Sequence, residues 1–328
     1  MTLTDGLSVD TVAGYLRDRR VIGSAPVVAE PLLGGVSNEV LAVTGDGVDL
    51  VVKQALSRLR VEQEWNADPR RILTEAAALL IAAKIRPDDV PTVLDVDRSA
   101  MTLTLGRADR SLRNWKDDLL AGTIDRRTGE RLAAALAAWH TATAGQPQLC
   151  DEFGTAGFVE LRIDPFHRVV ARRHPTLAAR IDELADSLLT ERLCLVHGDF
   201  SPKNVLAAGN KVCVLDWEVA HYGDPVFDLA FLQAHLLLKA VHRPADRAAY
   251  RSLAIGFLEE YGALVDPVLR RPDDYLAAQT ACLLLARVDG KSPAAYLTPS
   301  ERDRVRDLAV DALTRRPSIV ELWDGVDG

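Results

Sequence analysis

No run of apolar residues in this 328-residue chain approaches the roughly 20 needed to cross a bilayer as a helix. The N-terminus also lacks the charged-then-apolar pattern of a secretory signal. A membrane partner and export are therefore not expected, and the expected location is the cytoplasm. Cysteine is scarce: Cys150, Cys194, Cys213 and Cys282 stand apart with no C-x-x-C pair, which argues against a disulfide framework or a zinc site. Basic charge is in deficit, with 39 Lys and Arg against 47 Asp and Glu and a formal net charge of -8, so nucleic acid is not an expected partner. There is no internal repeat and no low-complexity segment. What remains is an ordinary globular composition, 48% hydrophobic, with ample core for one bilobal unit or two domains.

Against this background one stretch carries chemistry. Leu193-Cys-Leu-Val-His-Gly-Asp-Phe-Ser-Pro-Lys-Asn-Val-Leu206 reads as a short apolar strand followed by a polar loop, and Lys211-Val-Cys-Val-Leu-Asp-Trp-Glu218 as a strand that ends in acid. His197, Asp199 and Asn204 are spaced H-x-D-x-x-x-x-N, the spacing of a kinase catalytic loop, and Asp216-Trp217-Glu218 stands where protein kinases carry the metal-binding D-F-G. The chemistry explains the spacing: one carboxylate must meet the acceptor hydroxyl, while an amide oxygen and a second carboxylate hold Mg²⁺ on the phosphates.

Toward the N-terminus, Ser8 or Asp10 can cap a helix through about Arg20. Strand-like runs follow at Val27–Leu33, Glu39–Val43 and Asp49–Gln54, separated by Gly34-Gly35 and by Gly45-Asp46-Gly47, which is hairpin punctuation for an antiparallel meander. The turn Gly34-Gly-Val-Ser-Asn38 can lay backbone N–H groups, the Ser37 hydroxyl and Asn38 over phosphates, and is equally an ordinary hairpin turn. Lys53 closes an apolar strand, where a kinase needs a lysine for the α- and β-phosphates. After a charged connection, Asp68-Pro69 predicts a helix start. Its apolar stripe is Ile72, Leu73, Ala76, Leu79, Leu80 and Ala83. Glu75 falls at the rim of that stripe, as the lysine's partner or as a solvated glutamate. Strands at Thr92–Asp97 and Ala100–Leu105 then lead to a hinge at Thr104–Asp109, where backbone groups, those of Thr104 and Leu105 among them, are candidates for the adenine edge.

Beyond Ser111 the pattern reads as helix as far as Leu193, with helices at Thr128–Ala142 and Pro175–Leu189; His140 and His167 read as packing or surface residues. Asp224-Pro225 starts a helix to about Leu238 that is apolar nearly all round, with Asp228 as a buried carboxylate in need of donors. Helices at Asp246–Tyr261, Asp274–Val288 and Ser300–Thr314 complete the lobe. Arg287 stands near a helix C-terminus, where it is placed well against the dipole or donates to substrate oxygens.

These motifs resemble the aminoglycoside phosphotransferase and choline kinase-like family, small-molecule kinases with a protein-kinase-like fold. The residues that carry the likeness are His197-Gly-Asp-Phe-Ser-Pro-Lys-Asn204, Val214-Leu-Asp-Trp-Glu218 and Gly223-Asp-Pro-Val-Phe-Asp-Leu-Ala230. The resemblance implies an α+β bilobal fold, with a five-stranded antiparallel sheet plus one helix in an N-lobe (1–106) and a larger, mainly helical C-lobe (107–328). It implies Asp199 as catalytic base, Asn204 and Asp216 as Mg²⁺ ligands, Lys53 paired with Glu75 on ATP, and His197 with Asp228 supporting the catalytic loop. Trp217, Glu218 and Arg287 join Asp199 as candidate acceptor contacts. Leu50-Val-Val-Lys-Gln-Ala55, Asp68-Pro-Arg-Arg-Ile-Leu-Thr-Glu75 and Asp216-Trp-Glu-Val-Ala-His-Tyr-Gly223 are further similar to methylthioribose kinases, whereas Pro202-Lys203-Asn204 follows the pattern of the wider group. The expected reaction is ATP-dependent phosphorylation of a hydroxyl on a small sugar-like molecule. An aminoglycoside or other amino-alcohol acceptor and a non-catalytic binding module are the alternatives, and a homodimer is left open.

Overall fold

The computed structural model of the chain describes residues 6–32, 38–56 and 67–327. The Gly34–Ser37 turn, with Ser37, and most of the charged connection before Ala67 lie outside the described residues. The chain packs as two compact units: Met1–Ser111 with Leu215–Val219, and Leu112–Val214 with Ala220–Gly328. The segment carrying Asp216, Trp217 and Glu218 is thus packed with the sheet, although it follows the catalytic-loop hairpin in sequence.

The first unit contains helix α1 (Val12–Asp18), helix α2 (Arg71–Ile85) and strands β1 (Val27–Pro31), β2 (Asn38–Gly45), β3 (Val48–Ala55), β4 (Val93–Asp97) and β5 (Thr102–Gly106). The sheet is antiparallel throughout, in the order β1-β2-β3-β5-β4. β2 and β3 close into a tight hairpin across Gly45 and Val48, and Gly47 takes φ +67°, a conformation cheap only for glycine. Alternation along β2 and β3 sends Leu41, Val43, Leu50 and Val52 to one face, where they form a core with Val12, Tyr15 and Leu16 of α1. Lys53, one residue past Val52, therefore projects from the opposite face.

α2 begins at Arg71 rather than at Pro69. Asp68, Pro69 and Arg70 form a turn in which Asp68 Oδ1 accepts from the Arg70 N–H at 2.9 Å. Its inward face is Ile72, Glu75, Ala76, Leu79 and Ala82, while Leu80 is 49% exposed. The stripe is rotated from the sequence expectation so that Glu75 sits within the buried face and not at its rim.

The second unit is mainly helical. Two-residue strand β6 (Arg113–Asn114), where helix was expected, is followed by α3 (Trp115–Leu120), α4 (Arg126–Thr143), α5 (Pro147–Glu152) and α6 (Ala156–Phe158). A π-helical stretch, Val159–Arg168, runs into α7 (Val169–Arg173), and α8 (Ala178–Thr190) precedes strand β7 (Cys194–Val196). Strands β8 (Val205–Ala208), β9 (Lys211–Val214) and β10 (His221–Gly223) make two small sheets, β6-β8-β9 and β10-β7. The remaining helices are α9 (Val226–His242), α10 (Arg247–Leu264), α11 (Asp273–Asp289), α12 (Pro299–Arg315) and α13 (Ile319–Asp324).

Asp224 Oδ1 accepts from the Val226 N–H at 3.0 Å and so caps α9, as its position before Pro225 predicts. α9 is buried on all sides. Three of its polar side chains, Asp228, Gln233 and Lys239, are each at most 1% exposed, so each must find its partners inside the protein. His140 and His167 are packing residues. His140 lies between Tyr261 and Asp228, and His167, whose basicity burial pushes down to about 4, meets Gln279. No helix among the described residues is long and apolar enough to cross a membrane.

Candidate active site

In the first unit the charged residues of the sequence motifs converge on Lys53. Its Nζ lies 2.7 and 2.8 Å from the two oxygens of Glu75 and 2.9 Å from Asp216 Oδ1. The strand places the lysine on the α2 side of the sheet, and α2 presents Glu75 at that level. Burial alone would push the ammonium down, but Asp216, Glu75 and Glu218 outweigh it and hold Lys53 above its ordinary value. Glu75 is pushed up to about 7 by burial, against the pull of Lys53 and with Asp216 and Glu218 adding to the rise. The two shifts describe one bridged pair. Its geometry, with both carboxylate oxygens on the ammonium, is that of a lysine charged throughout the neutral range.

Asp216 has φ +67°, a left-handed backbone that aspartate tolerates better than most residues. The backbone strain there turns the carboxylate at the end of β9 toward Lys53. Asp216, Glu75 and Glu218 can each offer an oxygen within 4.8 Å of the others. An all-oxygen, carboxylate-rich donor set is what Mg²⁺ takes, so these residues fit a hard divalent cation. Of the three, Asp216 is the most exposed, at 23% of its side chain.

Glu218 is hydrogen-bonded within this unit. Its Oε2 accepts from Asn38 Nδ2 at 3.0 Å and from Arg71 Nε at 3.1 Å. Arg71 also donates to the carbonyls of Leu56, Ala67 and Asp68, so the arginine ties the Asp216 segment to the start of α2. Asn38, expected over phosphates, spends its amide on Glu218, and Trp217 is buried at 1% exposure. Thr104 and Leu105 are central in β5, paired with Val52 and Asp95 and with Val51 and Val93. Their backbone groups lie inside the ladder, and the pairing runs on through the Gly106 N–H on the Thr92 carbonyl and the Arg107 N–H on the Asp49 carbonyl.

The second unit holds the catalytic loop, between β7 and β8. Asp228, wholly buried in α9, accepts from the backbone N–H of His197 at 2.8 Å and of Gly198 at 2.9 Å. Burial by itself would raise this carboxyl, but His140, His197 and those N–H groups hold it below its ordinary value. Gly198 takes φ +76°, so the loop turns sharply between the pinned amides and Asp199. His197 Nδ1 accepts from the Asp199 N–H at 3.1 Å, which sets the direction in which the Asp199 carboxylate leaves the chain.

Three donors converge on Asp199 Oδ2: Asn204 Nδ2 at 2.8 Å, Arg162 at 3.0 Å and Lys203 at 2.9 Å. Asn204 gives its amide protons to Asp199, the backbone oxygen at 3.0 Å included, which leaves its amide oxygen as the atom suited to a hard cation. Arg162 Nε also donates to the Gly198 carbonyl at 2.8 Å. Arg287 bonds Ser292, through its carbonyl and at 3.0 Å through Oγ.

Sequence reasoning missed Arg162, Lys203, Arg71 and Lys239. Lys203 and Arg162 carry no spacing signal, since arginine and lysine at helix and loop positions are common. Lys239 had one: it stands near the end of a helix that is apolar on every side, where a lysine is as exceptional as Asp228.

A family model described as the phosphotransferase enzyme family matches residues 28–266. The chain belongs to this family. The chain is 27% identical over 256 residues to a methylthioribose kinase of Bacillus cereus (strain AH820), an alignment covering 68% of this chain and 63% of that protein. It thus spans under two thirds of the length of the curated relatives it matches. Among solved structures, a protein of Thermobifida fusca YX-ER1 assigned as a fructosamine-3-kinase is 22% identical with a TM-score of 0.57, over 94% of this chain and 100% of that one. An amicoumacin kinase in complex with AMP-PNP and Ca²⁺ is 14% identical with a TM-score of 0.53, over 94% of each chain. At these identities the structures establish a shared fold: a five-stranded antiparallel sheet with a mostly helical remainder.

Proposed function

We propose that the protein transfers the γ-phosphoryl group of ATP to a hydroxyl of a small sugar-like molecule, in the cytoplasm. The observation that carries the reading is the lodging of Lys53 between the carboxylates of Glu75 and Asp216. Phosphoryl transfer asks for little covalent chemistry from the protein, so charge placed where the triphosphate sits is the main requirement. Lys53 is the cation for the α- and β-phosphates, held in place by Glu75. When bound, Mg²⁺ would supply charge neutralisation across the phosphate oxygens; in the first unit Asp216 is suited to hold it, and in the second the Asn204 amide oxygen is suited to a hard cation. The adenine edge is assigned to backbone groups past β5.

Asp199 meets the acceptor hydroxyl and accepts its proton. Asp228 positions it by fixing the two peptide units that lead into it. Arg162, Lys203 and Asn204 all meet its Oδ2 and fix the orientation of the carboxylate. The methylthioribose kinase likeness supports a sugar as acceptor. Two cationic side chains against Asp199 favour a sugar over a polycationic aminoglycoside, whose ammonium groups they would repel. ATP turnover measured over a panel of sugars, sugar derivatives, aminoglycosides and choline tests the reading; turnover confined to aminoglycosides, or absent throughout, defeats it.

A further inference from the structure

Lys239 is 1% exposed, yet its ammonium makes a single hydrogen bond, to the His235 carbonyl at 3.2 Å, and rests 5.7 Å from the centre of the Tyr296 ring. Among the described residues it has no carboxylate partner. A buried ammonium with two of its three protons unspent is costly unless an anion answers it.

The surroundings repeat the theme. Arg287 Nε and the Tyr296 hydroxyl are both shielded from solvent and have no hydrogen-bond partner. The charges acting on Lys239 come from Lys116 of α3 and Arg287 of α11, both positive, and burial and these neighbours push the ammonium down to about 7. His235, on the same helix, is driven down by burial and by Lys239, Arg287, Lys203 and Lys116. No acidic group is among the influences on Lys239. Tyr296 and Asp199 oppose the fall of Arg287 that burial and Arg162 produce, so Arg287 feels the catalytic carboxylate.

The cluster is continuous with the catalytic loop. The Arg162 guanidinium, 3.0 Å from Asp199, lies 5.6 Å from the centre of the Phe231 ring. Phe231 meets the His235 ring edge-on at 5.0 Å, and the His235 carbonyl holds Lys239. All of these residues belong to the second unit.

We propose that the acceptor carries an oxyanion, a carboxylate or phosphate group in addition to the hydroxyl it presents to Asp199, and that Lys239 recognises this group with the help of Arg287 and Tyr296. The cluster supplies an ammonium, a guanidinium N–H and a phenol O–H, which is a donor set for an oxyanion. A neutral sugar would leave the ammonium unanswered. The assignment rests on the kinase reading above and sharpens its acceptor.

The test uses the full chain with ATP and Mg²⁺ and compares matched acceptors: neutral aldoses and methylthioribose, the corresponding aldonic acids, and the corresponding aldose phosphates. The expected result is a kcat/KM for the acids or the phosphates at least about tenfold above that of the neutral partner, the two arms separating carboxylate from phosphate. Lys239→Met should bring that ratio toward one, mainly through KM, and Lys239→Arg should restore part of it. Neutral sugars used as well as their anionic partners would overturn the inference while leaving the kinase reading intact; so would a folded Lys239→Met variant with unchanged discrimination. If no acceptor is phosphorylated, the kinase reading fails and binding decides the inference. With the nucleotide site filled by ADP, calorimetric titration with an aldonic acid and with an aldose phosphate should show binding to the parent at least tenfold tighter than to Lys239→Met, and equal binding would sink it.

Discussion

Both carboxylate oxygens of Glu75 face the Lys53 ammonium, at 2.7 and 2.8 Å, where neither side chain is more than 10% exposed. The pair sets the position of the Lys53 ammonium, which also meets Asp216 at 2.9 Å. Removing Glu75 leaves Lys53 to Asp216 alone and leaves a buried charge half-answered. Glu75→Ala is expected to raise the KM for ATP about 10- to 100-fold and to lower stability by about 3 kcal/mol. Steady-state kinetics with varied ATP, together with chemical denaturation, measure the two effects. An unchanged KM for ATP would detach the pair from nucleotide binding.

Asp199→Asn keeps the size of the side chain and removes its basicity. Turnover should fall by about 10²–10⁴-fold, the usual worth of a general base. Nucleotide affinity should change little, because the residues assigned to ATP are others. Single-turnover rates and nucleotide titration separate the two quantities. Near-parental kcat in the variant would remove Asp199 from proton transfer.

Asp228 tests the positioning of the loop. Asp228→Ala strips two buried backbone N–H groups of their acceptor, each worth about 1–3 kcal/mol, so a loss of several kcal/mol is expected. The pH dependence has a definite sign. The folded carboxyl is held below its ordinary value, so its stabilisation is present above the unfolded value of about 3.9 and is lost as pH falls through the folded value. The gap between parent and variant should therefore be full at pH 7 and narrow below about pH 4. Denaturation midpoints at pH 7 and in acid read it directly, and a gap that widens in acid would contradict it.

Lys239 should behave in the opposite sense. Its folded value of about 7 lies below the unfolded value near 10.5, so burying it costs nothing above the unfolded value. As pH falls from there the cost grows, and it is complete below about pH 7. Lys239→Met should thus stabilise the acceptor-free protein, by up to about 5 kcal/mol near pH 7 and less as pH rises toward 10. Melting temperatures of parent and variant across that range check it; a difference independent of pH would show that the lysine is paired.

The core of the catalytic chemistry was legible in sequence because it is local. His197, Asp199 and Asn204 share one loop, so their spacing alone relates them. The strand alternation that sends Lys53 to one face is likewise a property of consecutive residues. The cap at Asp224, the buried character of α9 and the need of Asp228 for donors also follow from short stretches of chain.

Where partners come from distant segments, only tertiary structure decided. The Asp228 donors, His197 and Gly198, lie on another element, and no periodicity names them. Glu75 was placed at the edge of its helix because Leu73 and Leu80 are apolar; the packing of α2 instead leaves Leu80 in water and buries the glutamate, since a charge that finds Lys53 is better buried than exposed. Glu218 finds Asn38 and Arg71, both far away in the chain, and no spacing in the sequence relates them. Sequence therefore determined the motifs that mark the family, through residues a few positions apart. The tertiary fold decided which charges are answered and which, like Lys239, are left for a ligand, because that depends on what every other element brings within a few ångströms.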